Sequence, residues 1–335
     1  MMKPKKIALV GGAGFIGHNL AISLKNRGHE AIVIDSLAVN NILSFADGEI
    51  KNRKLYSSIL NQRMDLMHDN DIEISIEDAR DYNAMSMLLD KYNPDVIIQL
   101  AAVSHANKSN KDPHTTFDHT IRTLENTLDI ARTLGSHVIY LSSSMVYGHF
   151  HGKTVTEDSL CNPLGIYDTL KYSGEQIVKA YHRVFKTPYT IIRPSALYGE
   201  RCVSRRVSQI FIENAVQGFD ISINGDGSDK LDFTYIEDFV NGITLAVENK
   251  NSLNETFNMT YGEARTIGDM ADILKNHFDG VNINYTPKDS LTPDRGTLSV
   301  DKARNLLGYQ PQNPIDIGYP KYIEWYKNFW AQLKT

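Results

Sequence analysis

The chain has 335 residues, 41% apolar and 22% charged, a formal net charge of −5 and a pI near 6.1. This is enough for one large core with a smaller lobe, and the mild acidity excludes a nucleic-acid-binding face. Two cysteines, Cys161 and Cys202, stand at no ligand spacing, which excludes a disulfide framework and a structural zinc site, and no apolar stretch is long enough to span a bilayer. With its first strand so near the start, the sequence leaves no room for a secretory leader and reads as cytoplasmic, with no metal and no membrane partner.

The apolar run Ile7-Ala8-Leu9-Val10 breaks into Gly11, Gly14 and Gly17 before an amphipathic pattern begins. This predicts a buried strand, a tight turn and a helix mouth. Glycine lets the backbone turn and approach a ligand closely, and a helix N-terminus offers unpaired N–H groups to a pyrophosphate. The next run, Ala31-Ile32-Val33-Ile34, ends at Asp35, whose carboxylate suits the hydroxyls of an adenosine ribose. That charge repels a 2′-phosphate, and the following Ser36-Leu37-Ala38 brings no arginine, so NAD is favoured over NADP.

From Leu37 to about Asp71 the segment is too long for a simple connection, and its apolar spacing predicts an inserted helix over Lys54 to Met67. A third strand follows at Ile72 to Ile76, with Asp78 and Ala79 where a carboxylate and an amide can read an adenine edge. A fourth runs from Pro94 and ends in the cofactor-flanking Leu100-Ala101-Ala102. Residues 113 to 134 read as one helix, opened by Pro113 and closed by Gly135. A fifth strand, His137 to Leu141, runs into Ser142-Ser143-Ser144, and the next helix carries Tyr167 and Lys171 on one face at i, i+4. This alternation predicts a doubly wound parallel sheet of the Rossmann kind, with ligands beyond the carboxyl ends of its strands. The later half alternates less regularly, as in a smaller α/β lobe built from discontinuous segments.

These side chains suit alcohol oxidation. A lysine ammonium and a charged nicotinamide would lower the Tyr167 pKa and make it a general base. Ser143 or Ser144 would hold the same alcohol, and Lys171 would also hold the nicotinamide ribose.

The chain resembles the extended short-chain dehydrogenase/reductases, specifically the NAD-dependent nucleotide-sugar epimerases and dehydratases. The resemblance rests on Gly11 to Gly17, on Asp78-Ala79, on Leu100-Ala101-Ala102, and on Ser142 to Gly148. It extends to Tyr167 with Lys171, Arg193 to Gly199, Gly225 to Asp238, and Arg295 with Leu307 to Pro311. It implies Ser143, Tyr167 and Lys171 as the catalytic set. It implies a cofactor site of Gly11, Gly14, Phe15, Ile16, Gly17, Asp35, Asp78, Ala79, Leu100, Ala101, Ala102, Ser142, Tyr167, Lys171 and Pro194. It also implies a division into a cofactor domain, 1–195 plus about 232–258, and a substrate lobe, about 196–231 plus 259–335. A homodimer would form through helices 113–134 and 165–185.

Where the family's 4,6-dehydratases carry an Asp-Glu pair, this chain has Ser144 and Met145, which cannot expel water. Oxidation at C4 is therefore expected, either as a C4 epimerase or as a net 4-dehydrogenase. The alternatives are a 4,6-dehydratase, or a sensor that binds NAD(H) without turnover. Gln99 stands where the family often has His, Thr120 where it often has Asn, and Leu231 where an Arg usually meets the substrate pyrophosphate. That role then falls to Arg201, Arg205, Arg206 or Arg295. The insertion and the Arg201–Arg206 run resemble enzymes of bacterial surface-glycan pathways, which implies a GDP-linked manno-heptose or hexose.

Overall fold

The computed structural model describes residues 3–45, 52–103, 106–288 and 293–334. In chain order the first half consists of β1 (Lys6–Val10), α1 (Phe15–Asn26), β2 (Glu30–Ile34), α2 (Arg53–Asp69), β3 (Glu73–Ser75), α3 (Tyr82–Tyr92), β4 (Val96–Gln99), α4 (Ala106–Lys111), α5 (Pro113–Phe117), α6 (Thr123–Leu134), β5 (His137–Leu141), α7 (Ile166–Phe185) and β6 (Tyr189–Arg193). The second half adds β7 (Leu197–Tyr198), α8 (Val207–Val216), β8 (Ile221–Asn224), β9 (Lys230–Leu231), β10 (Thr234–Tyr235), α9 (Ile236–Glu248), β11 (Glu255–Asn258), β12 (Arg265–Thr266), α10 (Ile267–Lys275), β13 (Ile283–Thr286), α11 (Asp301–Leu307) and α12 (Ile315–Lys334).

Among the described residues seven strands form one parallel sheet in the order β3-β2-β1-β4-β5-β6-β11. β1, β4 and β5 are apolar on both faces because helices cover both, as a parallel sheet requires. The order reverses between β1 and β4, so a crevice opens beyond the carboxyl ends of those two strands. The shorter strands pair apart from the sheet, β7 with β10, β9 with β12 and β8 with β13.

The helix expected over 113–134 is three pieces: α5, a π-helical turn at Asp118–Arg122, and α6. The insertion does hold a helix, α2, while its residues 46–51 lie outside the described ones. One sheet face packs Ala8, Val10 and Ile32 against Leu124 and Leu128 of α6 and Val178 of α7. The other begins at Ile7 and Leu9 and continues without a break through Ile59 of α2, Phe211 of α8 and Phe239 of α9 to Tyr319, Tyr322 and Tyr326 of α12. No helix among the described residues is long and apolar enough to cross a membrane.

Candidate active site

The crevice between β1 and β4 is lined by Gly11, Gly14, Phe15, Ile16, Gly17, Asp35, Asp78, Ala79, Leu100, Ala101 and Ala102. Gly11 turns the chain at φ +80°, and a Cβ there would lie 2.5 Å from the Ala101 nitrogen, so β1 and β4 meet only because this residue has no side chain. At Gly14, the N-cap of α1, a Cβ would have no protein atom nearer than the Gly11 carbonyl at 3.5 Å, so the space it would take is left for a ligand. No side chain caps α1, leaving its first N–H groups toward the crevice as a seat for a phosphate. Asp35 accepts from the Ala13 N–H at 2.9 Å and the Leu37 N–H at 2.8 Å, each oxygen keeping a lone pair for a ribose hydroxyl. Burial raises its pKa, and those two amides oppose the rise. Asp78 is held by Arg80, whose hydrogen bonds lower its pKa.

A second cavity adjoins the first, with Leu197 and Arg206 on both walls, and is lined further by Ser143, Ser144, Met145, Tyr167, Pro194 and Arg295. Ser143 caps the turn after β5, its Oγ accepting from the Met145 N–H at 3.2 Å, and it lines the same cavity as Tyr167. Burial pushes the Tyr167 phenol above its ordinary pKa; Arg206, Ser143 and Arg295 pull the other way. The cations acting on this phenol in the protein alone are therefore arginines. Lys171, expected to do that work, donates its Nζ to the Leu141 carbonyl at 2.6 Å and sits over the Tyr140 ring at 5.3 Å. It borders neither cavity. A buried ammonium must find an acceptor, and the strand-end carbonyl is nearer than the phenol. Burial lowers its pKa to about 8, against the opposing charge of Glu175.

Four further expectations meet a different placement. Ser142 does not face the cofactor crevice; its Oγ donates to Glu175 Oε1 at 2.5 Å, within a buried network in which Arg193 grips Glu175 at 2.6 and 2.9 Å and donates to the Tyr147 hydroxyl at 2.8 Å. Arg201 turns onto α1, donating to His18 Nε2 at 3.1 Å and Asn19 Oδ1 at 3.3 Å, and lines neither cavity. Arg205 is exposed at φ +50° and also lines neither. Pro194, read as a cofactor neighbour, lines the second cavity, where its carbonyl accepts from the Ser144 N–H at 2.8 Å. Of the four candidate arginines only Arg206 and Arg295 reach the catalytic cavity. Burial and the charge of Arg206 lower the pKa of Arg295 to about 10, as expected of two guanidinium groups lining one cavity. Gln99 ties β4 to α6, donating to Thr123 Oγ1 at 3.0 Å and accepting from Thr127 Oγ1 at 2.8 Å.

Sequence patterning missed Arg63, which lines the cofactor crevice from α2. Its signal was present: an arginine on the apolar stripe Tyr56, Ile59, Leu60, Met67 of that helix.

A family model described as the NAD dependent epimerase/dehydratase family matches residues 7–260. The chain belongs to the NAD-dependent epimerase/dehydratase family. Relatives of this epimerase/dehydratase include dTDP-glucose 4,6-dehydratase of Haemophilus influenzae, 27% identical over 96% of this chain and 97% of that one. UDP-glucuronic acid decarboxylase 1 of Arabidopsis thaliana is 27% identical over 97% of this chain and 71% of its own. Among solved structures, UDP-glucuronic acid 4-epimerase from Bacillus cereus, in complex with UDP-glucuronic acid and NAD, superposes with a TM-score of 0.83 at 28% identity, covering 96% of this chain and 99% of that one. The cofactor of this epimerase/dehydratase is NAD, and the bare mouth of α1, the open space at Gly14 and the carboxylate of Asp35 fit it.

Proposed function

We propose that this enzyme oxidises C4 of a nucleoside-diphosphate sugar and re-reduces it from the opposite face, a C4 epimerisation. One observation carries the reading: the described walls of the catalytic cavity bring together Ser143, Tyr167 and two arginines, and hold no carboxylate. A dehydratase needs an acid and a base to remove water, and Ser144 and Met145 are neither. Bound NAD supplies the hydride acceptor and donor. Tyr167 takes the C4 hydroxyl proton and later returns it. Ser143 holds that oxygen against the phenol, and Arg206 and Arg295 take the diphosphate in the absence of an arginine at 231.

The relatives named above carry UDP- and dTDP-sugars in their names, so a pyrimidine nucleotide is proposed ahead of the GDP-linked heptose or hexose. Cofactor and sugar are assigned to the two segments 1–195 with 232–258, and 196–231 with 259–335. The homodimer reading is supported by Phe117 beside α6, and by Val184 and Phe185 on α7, which leave apolar surface exposed.

The test is to incubate the purified protein with UDP-, dTDP-, GDP- and CDP-sugars and read products by NMR and mass spectrometry while following NADH absorbance. Epimerisation gives unchanged mass, inverted C4 and no lasting NADH. A product lighter by two hydrogens with lasting NADH would make it a net dehydrogenase, and loss of water would refute the argument from Ser144 and Met145. Tyr167→Phe should slow turnover by about 10²- to 10⁴-fold.

A further inference from the structure

Arg63 is 1% exposed, on the core-facing stripe of α2. Its Nε and Nη2 both donate to the Arg201 carbonyl, at 2.9 and 2.5 Å. Its Nη1 is buried and has no hydrogen-bond partner among the described residues. No carboxylate pairs with it there, and Asp35 favours its charge only from beyond contact. Of its other neighbours, Cys202 and Tyr322 favour the charge and Arg201 acts against it, while burial with Arg63 and Arg201 holds His18 well below its ordinary pKa. The guanidinium keeps its proton at neutral pH, burial lowering its pKa to about 10.

A buried cation with an idle donor is costly unless an anion meets it. Arg63 lines the same crevice as Gly14, Phe15, Ile16 and Gly17, where the mouth of α1 offers only neutral N–H groups. The dinucleotide brings its negative charge to that mouth as a diphosphate, while its adenosine brings none.

We propose that Arg63 Nη1 donates to the diphosphate of the bound dinucleotide, making the inserted helix α2 a cationic clamp on the cofactor. This rests on NAD being the cofactor. Two of the three nitrogens are fixed on a backbone carbonyl, so the guanidinium is held in place before the ligand arrives and little side-chain entropy is lost on binding.

The proposal is tested by calorimetric binding of NAD, ADP-ribose and adenosine to the cofactor-stripped wild type, Arg63→Met and Arg63→Lys, with the unliganded melting temperature reporting the fold. Arg63→Met should weaken NAD and ADP-ribose by about tenfold to a hundredfold, adenosine by less than twofold, and Arg63→Lys should fall between. Equal losses on all three ligands would make Arg63 a merely structural residue and overturn the proposal, as would no loss on any. Should Arg63→Met not fold, ¹⁵N-arginine NMR of the wild type decides. The Arg63 Nε–H signal, identified by its absence in Arg63→Lys, should move with ADP-ribose and not with adenosine; a signal unmoved by ADP-ribose overturns the proposal. A wild type that binds adenosine but neither NAD nor ADP-ribose would overturn the cofactor assignment itself, and this inference with it.

Discussion

Glu175→Ala tests whether the catalytic turn rests on a buried ion pair. Glu175 is 0% exposed and Arg193 2%, and their two contacts at 2.6 and 2.9 Å form a bidentate fork beneath β5 and β6. Removing the carboxylate leaves a buried guanidinium held only by the Tyr147 hydroxyl and the Glu157 carbonyl, and strips Ser142 Oγ of its acceptor. A broken buried pair costs about 3–5 kcal/mol and a lost side-chain hydrogen bond about 1, so the variant should lose about 4 kcal/mol or more. Glu175→Leu with Arg193→Met removes both charges, and should be less destabilised than Glu175→Ala although two residues are changed. The assay is urea unfolding followed by circular dichroism, with the slope compared between variants so that a change in midpoint reads as a change in stability. A loss below about 1 kcal/mol for Glu175→Ala, or a double variant as unstable as the sum of its single variants, would refute the reasoning.

Lys171 predicts a pH effect. Its pKa is about 8 folded against 10.5 ordinarily, so the folded state bears the burial of the ammonium in full below pH 8. The unfolded chain holds the extra proton between the two values, so that deficit, roughly 3 kcal/mol, should be relieved as pH rises from about 8 to 10.5. Unfolding titrations of Lys171→Met should lack this rise relative to wild type. Gly174→Ala would set a Cβ 2.2 Å from the hydroxyl of the buried Tyr140, and thermal unfolding should report a loss of about 1–3 kcal/mol. Gly17→Ala would set a Cβ 2.3 Å from the Gly12 carbonyl, forcing the glycine turn outward, and NAD affinity should drop by about tenfold or more in a binding titration.

The turn from β1 into α1 was legible in sequence because it is local: an apolar run, then glycines at positions whose neighbours lie within a few residues. Asp35, Asp78 and Ala79 were legible for the same reason, each ending a strand at the sheet edge where such folds bind ligands. What stayed hidden depends on partners distant in sequence. Nothing near Ser142 announces that Glu175, a helix away, will take its hydroxyl, and nothing near Arg201 announces His18. Tyr167 and Lys171 share a helix face, yet only Tyr167 opens to the cavity, since the buried ammonium turns to Leu141. The π-helical turn at Asp118–Arg122 left no mark on the apolar periodicity of 113–134 because one extra residue per turn shifts a helix face without ending it.

The unbroken apolar face running from β1 to α12 bears on the order in which the molecule is made. Glu213 of α8 takes hydrogen bonds from Tyr56 of α2 and from Tyr326 of α12, both at 2.7 Å, so the helix carrying Arg63 is braced by a helix synthesised long after it. A nascent chain can assemble the β1–β4 edge while translation continues. The brace behind the cofactor's outer wall must wait until α12 clears the ribosome, so cofactor capture of native strength follows the emergence of α12 rather than that of the β1–β4 edge.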